Sequence, residues 1–517
     1  MVTLTAREGY AAVRQGGSVN ITLDITRAGG PSGPITVAVP NPPAGLSGSS
    51  VTIEETASSA TISLTATSTA ALGGPVMLPI EGTYADGVAQ VMLPALVFGP
   101  AGALDTTFGT SGSTIFTAAA SNAYDYPRAL VFQPDGKLVI AGVTTSGGYR
   151  FVLARLTENG VLDTGFAGGA GKTQLAVTIG GSTISHAHAV ALDGQGRILI
   201  GGSSGATAAE QRWTIARYTA AGVLDTTFGN QTGQPGVMLL AEGASSGNEA
   251  ISFIHVQSTG ELVVIGSAAS GGHRGLGIAR ITESGNGIDP TFNSGAIRRH
   301  TIDSAREVVI DTLGPFAVEV DSMGRFVFTG ATSTTGDVPA VTSFVGRLLP
   351  SGDLDTQFTI KTVPTSAGTP EIRGLAVLAD NSVVLAGYEA GTSNVLSFKY
   401  TGTGAVDTAF NGGQPLEIAG IGTGWDALET PEGLVLVGAT ESPAPVDMNV
   451  LRRTAAGAVD SSFGTGGAYT MHYSMGGGNS DLAIRVVRDQ YGRLVVGGRR
   501  VPTSGSSWNF VFFRLFP

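Results

Sequence analysis

From Leu104 onward a single motif recurs along the chain, and its periodicity constrains the fold more than any other feature. It reads Leu104-Asp105-Thr106-Thr107-Phe108-Gly109 at its first appearance, and returns as Leu162-Asp163, Leu224-Asp225, Ile288-Asp289, Leu354-Asp355, Val406-Asp407 and Val459-Asp460, with a phenylalanine three residues after every Asp. The seven Asp positions lie 52 to 66 residues apart, a beat that stacked or radial repeats produce and unrelated loops do not. A second motif keeps the same time. It runs from Ala129 through an Asp135-Gly136 turn to Gly142 and is matched around Gly196, Gly260, Gly324, Asn381, Gly433 and Gly492. Asn381 stands where the other copies have Gly, and Asn is the usual non-Gly residue tolerated at positive φ, so the position reads as a hairpin turn. A third element carries Arg155, Arg217, Arg280, Arg347, Lys399, Arg452 and Arg514.

Each unit offers four short strands. Those after the turn, such as Leu138 to Ile140 and Leu494 to Val496, are apolar at consecutive positions, so both faces must be covered. Neighbouring blades do this in a β-propeller, whereas an open sheet with one wet face would alternate. Units of about 59 residues over 104–517 predict seven blades. With the strand before the Asp-Gly hairpin innermost, residues 112–118 become the outermost strand of the last blade, a closure that removes both open edges. Residues 1–99 differ. They alternate, as in Val19, Ile21, Leu23, Ile25 and Ile62, Leu64, Ala66, with Gly and Pro breaks, and predict an immunoglobulin-like β-sandwich without the Cys-Trp-Cys core of antibody domains. The expected fold class is therefore all-β, a sandwich (1–99) followed by a seven-bladed propeller (100–517).

Composition agrees and narrows the function. The 77 glycines among 517 residues are about twice the usual share of roughly 7%, and charged residues at 13% are about half the usual 25%. A net charge of −11 opposes binding to nucleic acid, where each phosphate contact needs Lys or Arg. Without cysteine there is no disulfide, thiol nucleophile or zinc-thiolate site. No apolar run reaches the length of a membrane span. The start lacks a basic and apolar leader, and low charge with high Gly, Ser and Thr suits a secreted or cell-surface bacterial protein read as a mature segment.

The repeated Leu-Asp-Thr-Thr-Phe-Gly, the segment from Phe132 to Gly142 and the Ala154-to-Gly160 stretch together resemble the delta-60 repeat family, frequent in myxobacteria and relatives, over residues 104–517. The resemblance implies a propeller, with a leading sandwich and a removed secretion or lipoprotein signal as companions. It implies no particular activity.

Few residues point to chemistry. The seven motif Asp residues (Asp105, Asp163, Asp225, Asp289, Asp355, Asp407 and Asp460) could line a ring of metal sites, but one per blade at a turn fits an Asp that accepts backbone N–H bonds and pairs with the upstream Arg or Lys. The Phe that follows reads as a wedge between blades. Gly168 to Thr173 imitates a phosphate loop, but Phe166 stands where its first Gly belongs. Gly243 to Gly247 matches the nucleophile-elbow pattern in a Gly/Ser-rich loop without strand-to-helix context. His186 and His188 alternate along a strand and could give two metal ligands, with no third in view. Trp213 aligns with Phe151 and Phe510 and reads as core. Trp425 aligns instead near Arg128, His188, Arg373 and Ile484, where the inner strand begins.

That last alignment carries the functional expectation. Loops of uneven length (119–128, 143–149, 203–212, 241–249, 267–275, 300–315, 331–342, 388–394, 440–447 and 499–508) fall on one face, and loops held by a rigid scaffold carry function. The candidate ligand-binding residues are Arg128, His188, Arg373, Trp425 and Asp426, for a protein or polysaccharide partner. No metal and no cofactor is expected. Two rivals stay open: a glycan hydrolase or lyase at the channel mouth, and a structural or adhesive role.

Overall fold

The computed structural model describes residues 1–517 except 30–32, 119–122, 180, 208–209, 230–232, 241–248, 271–272, 305, 310–315, 335–340, 365–367, 391–393, 420–421, 441–445, 474–480 and 503–506. The Gly243-to-Gly247 pentapeptide and much of the uneven loops lie outside the described residues. Among the described residues the chain is all-β, with three short 3-10 turns and no α-helix. None of its helices is long and apolar enough to cross a membrane.

The chain divides into two compact units. The first comprises Met1–Ser113, Arg488–Leu494 and Phe513–Pro517, and the second Thr114–Val487 and Val495–Phe512. In the first unit one sheet orders its strands Val2–Ala6, Ser18–Arg27, Ser59–Ala66 and Leu46–Gly48, and another orders Ala11–Arg14, Gly87–Phe98, Gly73–Tyr84, Ile35–Ala38 and Val51–Ile53. Alternation sends Ile21, Leu23, Ile62, Leu64, Leu78 and Ile80 to one shared core and leaves the polar residues between them outside. Ala11–Arg14 pairs parallel to Gly87–Phe98. A smaller core joins Leu96, Phe98, Tyr491 and Phe516.

The repeats form sheets of antiparallel strands in chain order. The first runs Asp125–Phe132, Leu138–Thr144, Arg150–Leu156 and Lys172–Leu175; four of the next five follow the same plan, through Ala468–Met471, while the fourth sheet has two leading strands, Glu307–Val308 and Phe316–Val320, both paired with Phe326–Ser333. The last sheet orders Ser113–Phe116, Asn509–Leu515, Leu494–Arg500 and Leu482–Arg488, so its outer strand comes from the beginning of the repeat region. Every residue of Leu138–Thr144 and of Ile198–Gly205 is buried, as expected of second strands covered on both faces.

The motif Asp fastens each sheet. Its Oδ1 accepts the N–H two residues on at 2.8–3.1 Å in all seven copies. Its Oδ2 meets the Arg or Lys eight or nine residues upstream: Arg155–Asp163, Arg217–Asp225, Arg280–Asp289 and Arg347–Asp355 at 2.8 Å, Lys399–Asp407 at 3.0 Å and Arg452–Asp460 at 2.6 Å. The seventh pair, Arg514 with Asp105 at 2.8 Å, joins residues 409 apart and sits in the first unit. The guanidinium also lies 4.3–5.4 Å from the ring of the motif Phe. From there it reaches the next repeat: Arg155, Arg217 and Arg347 donate to the carbonyls of Ala220, Glu283 and Gly402. The ring reaches it too. A Cβ on Gly222, at φ +78°, would lie 2.5 Å from Phe166, so only glycine lets that turn settle on the wedge. Trp213 is buried and donates its indole N–H to the Ser267 carbonyl.

Candidate functional site

The first strands of successive sheets have free inner edges, and their backbone groups need partners. Side chains of the neighbouring first strand supply several. Ser252 Oγ accepts the Phe316 N–H at 3.2 Å, Glu319 accepts the Val377 N–H at 2.6 Å, and Asp426 accepts the Val486 N–H at 3.0 Å. These strands also carry β-bulges, each an extra residue facing one on the partner strand: Arg128 between Pro127 and Ala129, His188 between Ala187 and Ala189, Ser252 between Ile251 and Phe253, Arg373 between Ile372 and Gly374, and Trp425 between Gly424 and Asp426. A bulge frees its residue from the ladder and re-aims the side chain, which is why bulges gather beside functional sites. Opposite each bulge stands a glycine whose missing Cβ makes room: one on Gly142 or Gly202 would lie 2.3 or 1.9 Å from the carbonyl oxygen of Tyr126 or His186. The four residues aligned in the sequence as Arg128, His188, Arg373 and Trp425 thus share a backbone reason for standing out, and Ser252 joins them.

One cavity of about 270 Å³ is lined by the first strands of all seven repeat sheets. Arg128, His188, Ser252, Glu319, Asp426 and Arg485 are its polar wall. Of the five residues singled out by sequence, Arg128, His188 and Asp426 meet here. Arg373 and Trp425 are not in the wall; they stack on each other, the guanidinium 5.3 Å from the Trp425 ring. Glu371 completes that separate cluster, accepting from Arg373 and from the Tyr388 hydroxyl at 2.6 Å each.

The cavity buries charged groups of both signs. Arg128 is only 3% exposed, and its Nε is buried with no acceptor among the described residues. Burial, reinforced by Arg485 and Arg499, pulls its guanidinium down to about 9, and only the nearby Tyr126 hydroxyl opposes that. Its carbon lies 4.9 Å from the Tyr126 ring centroid. Glu319 is pushed up to about 8 by burial, against the Val377 N–H and with help from Asp426 and Glu429. Burial likewise raises Asp426, opposed by Arg485. Glu319 is therefore mostly neutral at pH 7, and Asp426 has a cation beside it.

Around Arg128 gathers an aromatic group that sequence reading passed over. Tyr149 packs 4.6 Å from His186, whose ring stands 6.3 Å from that of His188. Trp508 holds Tyr124 and Tyr126 edge-on at 4.7 Å each and carries Arg499 3.7 Å from its centroid. Tyr124 and Tyr149 remain 39% and 41% exposed. His186 is pulled down to about 4 by burial and by Arg128, so it is a neutral imidazole at physiological pH. These residues belong to none of the three repeated motifs; the glycines opposite the bulges were the available signal. Among the described residues no three His, Asp or Glu side chains come together in a way that could hold a metal ion.

A second hollow of about 360 Å³ lies between the turns at 192–197 and 256–260, but its one lining cation, Arg197, is already paired with Asp193 and Glu283.

Residues 133–166 and 196–228 match a domain family described as a domain of unknown function (DUF5122) β-propeller. The chain is an all-β protein with propeller-type repeats. Comparison with curated proteins returns no match. Among solved structures, a DUF4784 family protein from Bacteroides caccae ATCC 43185 aligns over 80% of this chain and 95% of its own, at 10% identity and a TM-score of 0.24.

Proposed function

We propose that this chain is a binding protein of the cell surface or extracellular space, in which a seven-bladed propeller of the delta-60 repeat type, preceded by an immunoglobulin-like sandwich, presents a ligand site at the mouth of its central channel. The observation that carries this reading is the single cavity shared by the first strands of all seven repeat sheets, with the bulged polar residues Arg128 and His188 in its wall. The blade count is supported by the seven consecutive sheets and by the last one borrowing Ser113–Phe116 for closure. The sandwich reading is supported by the two sheets of the first unit, which share one core, and by the parallel pairing of Ala11–Arg14 with Gly87–Phe98. Within this wall Arg128 has a buried Nε with no acceptor among the described residues, which leaves it for a ligand. A thermal-shift screen of the full chain against neutral and acidic polysaccharides tests the reading, because a ligand that binds only the native state raises Tm. No shift across the panel leaves the structural or adhesive role.

A second reading has one observation of its own. Glu319 and Asp426 share the cavity, and a carboxyl held to about 8 has the protonation state that a glycosidase general acid needs. Each of them already accepts an N–H from the adjacent first strand, which favours the fastening role. New reducing ends after incubation with glycans would establish the hydrolase instead.

A further inference from the structure

Arg128 is a guanidinium that the protein buries without a carboxylate. Among the described residues no acidic side chain reaches ion-pair distance of it; the charged groups that act on it are the cations Arg485 and Arg499. Structural arginines in this same chain look different, since Arg155, Arg217, Arg347 and Arg452 each bind an Asp and a motif phenylalanine. Burying an unpaired charge is costly unless something arrives to pair with it. A cavity wall that holds such a cation is therefore shaped for an anion supplied from outside.

The surroundings select the kind of anion. Outside the cavity wall, Tyr126 lies against the guanidinium, Tyr149 against His186 and Tyr124 against Trp508; Tyr124 and Tyr149 are half-exposed, and ring faces of this kind accept the C–H face of a pyranose. His186 is a neutral imidazole and Glu319 a mostly neutral carboxyl, so both can exchange hydrogen bonds with hydroxyls without repelling a negative charge. A volume of about 270 Å³ is at the small end for ligand sites and admits one sugar-sized group rather than a threaded polymer. The net charge of −11 opposes any polyanion held by bulk electrostatics, so recognition rests on one locally paired charge.

Building on the binding reading above, we propose that the Arg128 wall of the cavity takes the carboxylate of one sugar residue, a uronic acid of an acidic glycan, with the sugar ring turned outward toward the half-exposed Tyr149 and Tyr124. Guanidinium and carboxylate match as a two-bonded fork, which fixes the sugar's orientation.

Titration calorimetry of the full chain tests it with four probes: short oligomers of galacturonic and of glucuronic acid, the same oligomers with their carboxyl groups reduced to alcohols, a short peptide with a free C-terminal carboxylate, and inorganic phosphate. The expected result is saturable binding of an acidic oligomer, at least tenfold weaker binding of its reduced counterpart, at least a tenfold loss in Arg128→Gln, and a several-fold loss in Tyr149→Ala. The acid-against-alcohol comparison uses the unaltered protein, so it reads even where a variant fails to fold. Equal binding of acid and alcohol overturns the uronate assignment while leaving a glycan-binding protein. Binding of the peptide or phosphate but not of the saccharides overturns the sugar class. If none binds, the uronate assignment falls, and a positive polysaccharide shift in the broader screen would still uphold the binding reading.

Discussion

Replacing Arg128 by methionine is expected to make the unliganded protein more stable. The drop in its guanidinium from the ordinary arginine value to about 9, at about 1.36 kcal/mol per pH unit, corresponds to on the order of 4–5 kcal/mol that burial takes from the charged form. Methionine keeps most of the aliphatic stem but loses the contact with Tyr126, which sits 4.9 Å from the guanidinium carbon and is worth roughly 1–2 kcal/mol when desolvated. A net gain of about 3 kcal/mol remains, in line with gains seen when buried charges give way to apolar residues. For a unit of several hundred residues that is a rise in Tm of roughly 2–4 °C. Because the folded-state value lies below the unfolded one, the arginine's destabilisation is whole below about pH 9 and is relieved as pH climbs from there toward the ordinary arginine value; the variant's advantage must therefore be full at pH 7. Differential scanning calorimetry of both proteins at pH 7, with circular dichroism to verify the fold, measures it. A Tm lowered by several degrees would mean that Arg128 has a stabilising role inside the protein, and the argument for an outside anion would fail with it.

The Arg347–Asp355 pair, 1% and 7% exposed at the side chain, makes the opposite case: Asp355→Ala should lose roughly 3–5 kcal/mol in urea denaturation by stranding the guanidinium, and a loss under 1 kcal/mol would remove the motif Asp as a fastener. Burial alone would raise Asp355, but the Gln357 N–H and Arg347 outweigh it and hold the carboxyl low, so its contribution is complete above an unfolded value near 3.8 and fades as pH falls below that; melting curves between pH 5 and 2 should show wild type losing stability that Asp355→Asn does not lose. Glu319 has the reverse sign. Its carboxyl is raised to about 8, so wild type should lose stability as pH rises from about 4.5 to 8 while Glu319→Gln stays flatter, and parallel curves would show that burial does not hold this group neutral. Gly202→Ala places a Cβ 1.9 Å from the His186 carbonyl oxygen, and a cost above about 2 kcal/mol, with a shifted His188 environment by NMR, is the expected sign that the glycine makes the bulge possible.

The repeat fasteners were legible because they are local. Asp163 and Arg155 lie eight residues apart with Phe166 three further on, so spacing alone could suggest an Asp-centred turn paired with an upstream cation, and the structure has six copies in that geometry, the seventh Asp pairing with Arg514 from the far end of the chain. Asn381, at φ 63°, was readable for the same reason, since a lone Asn among turn glycines reports the backbone directly. The alignment of Arg128, His188, Arg373 and Trp425 also reflects something local, the bulge, and the glycines at 142, 202, 387 and 438 that face those bulges were present in the sequence as a period of their own. Where each bulged side chain goes was not readable. Arg128 and His188 meet in the cavity wall while Arg373 turns to Trp425 and Glu371, because that choice depends on what the neighbouring strand presents. Glu319 and Arg485, which line the cavity, and Tyr149 and Trp508, which gather about Tyr126, belong to none of the three repeated motifs, and each set meets only once strands far apart in the chain converge. The sequence by itself determined the period, the turns and the pairing inside each unit, all of which rest on neighbours within a few residues. Only the tertiary structure decided that Arg128 is buried without a counter-charge, because burial and pairing depend on every strand that surrounds a side chain and not on the strand that carries it.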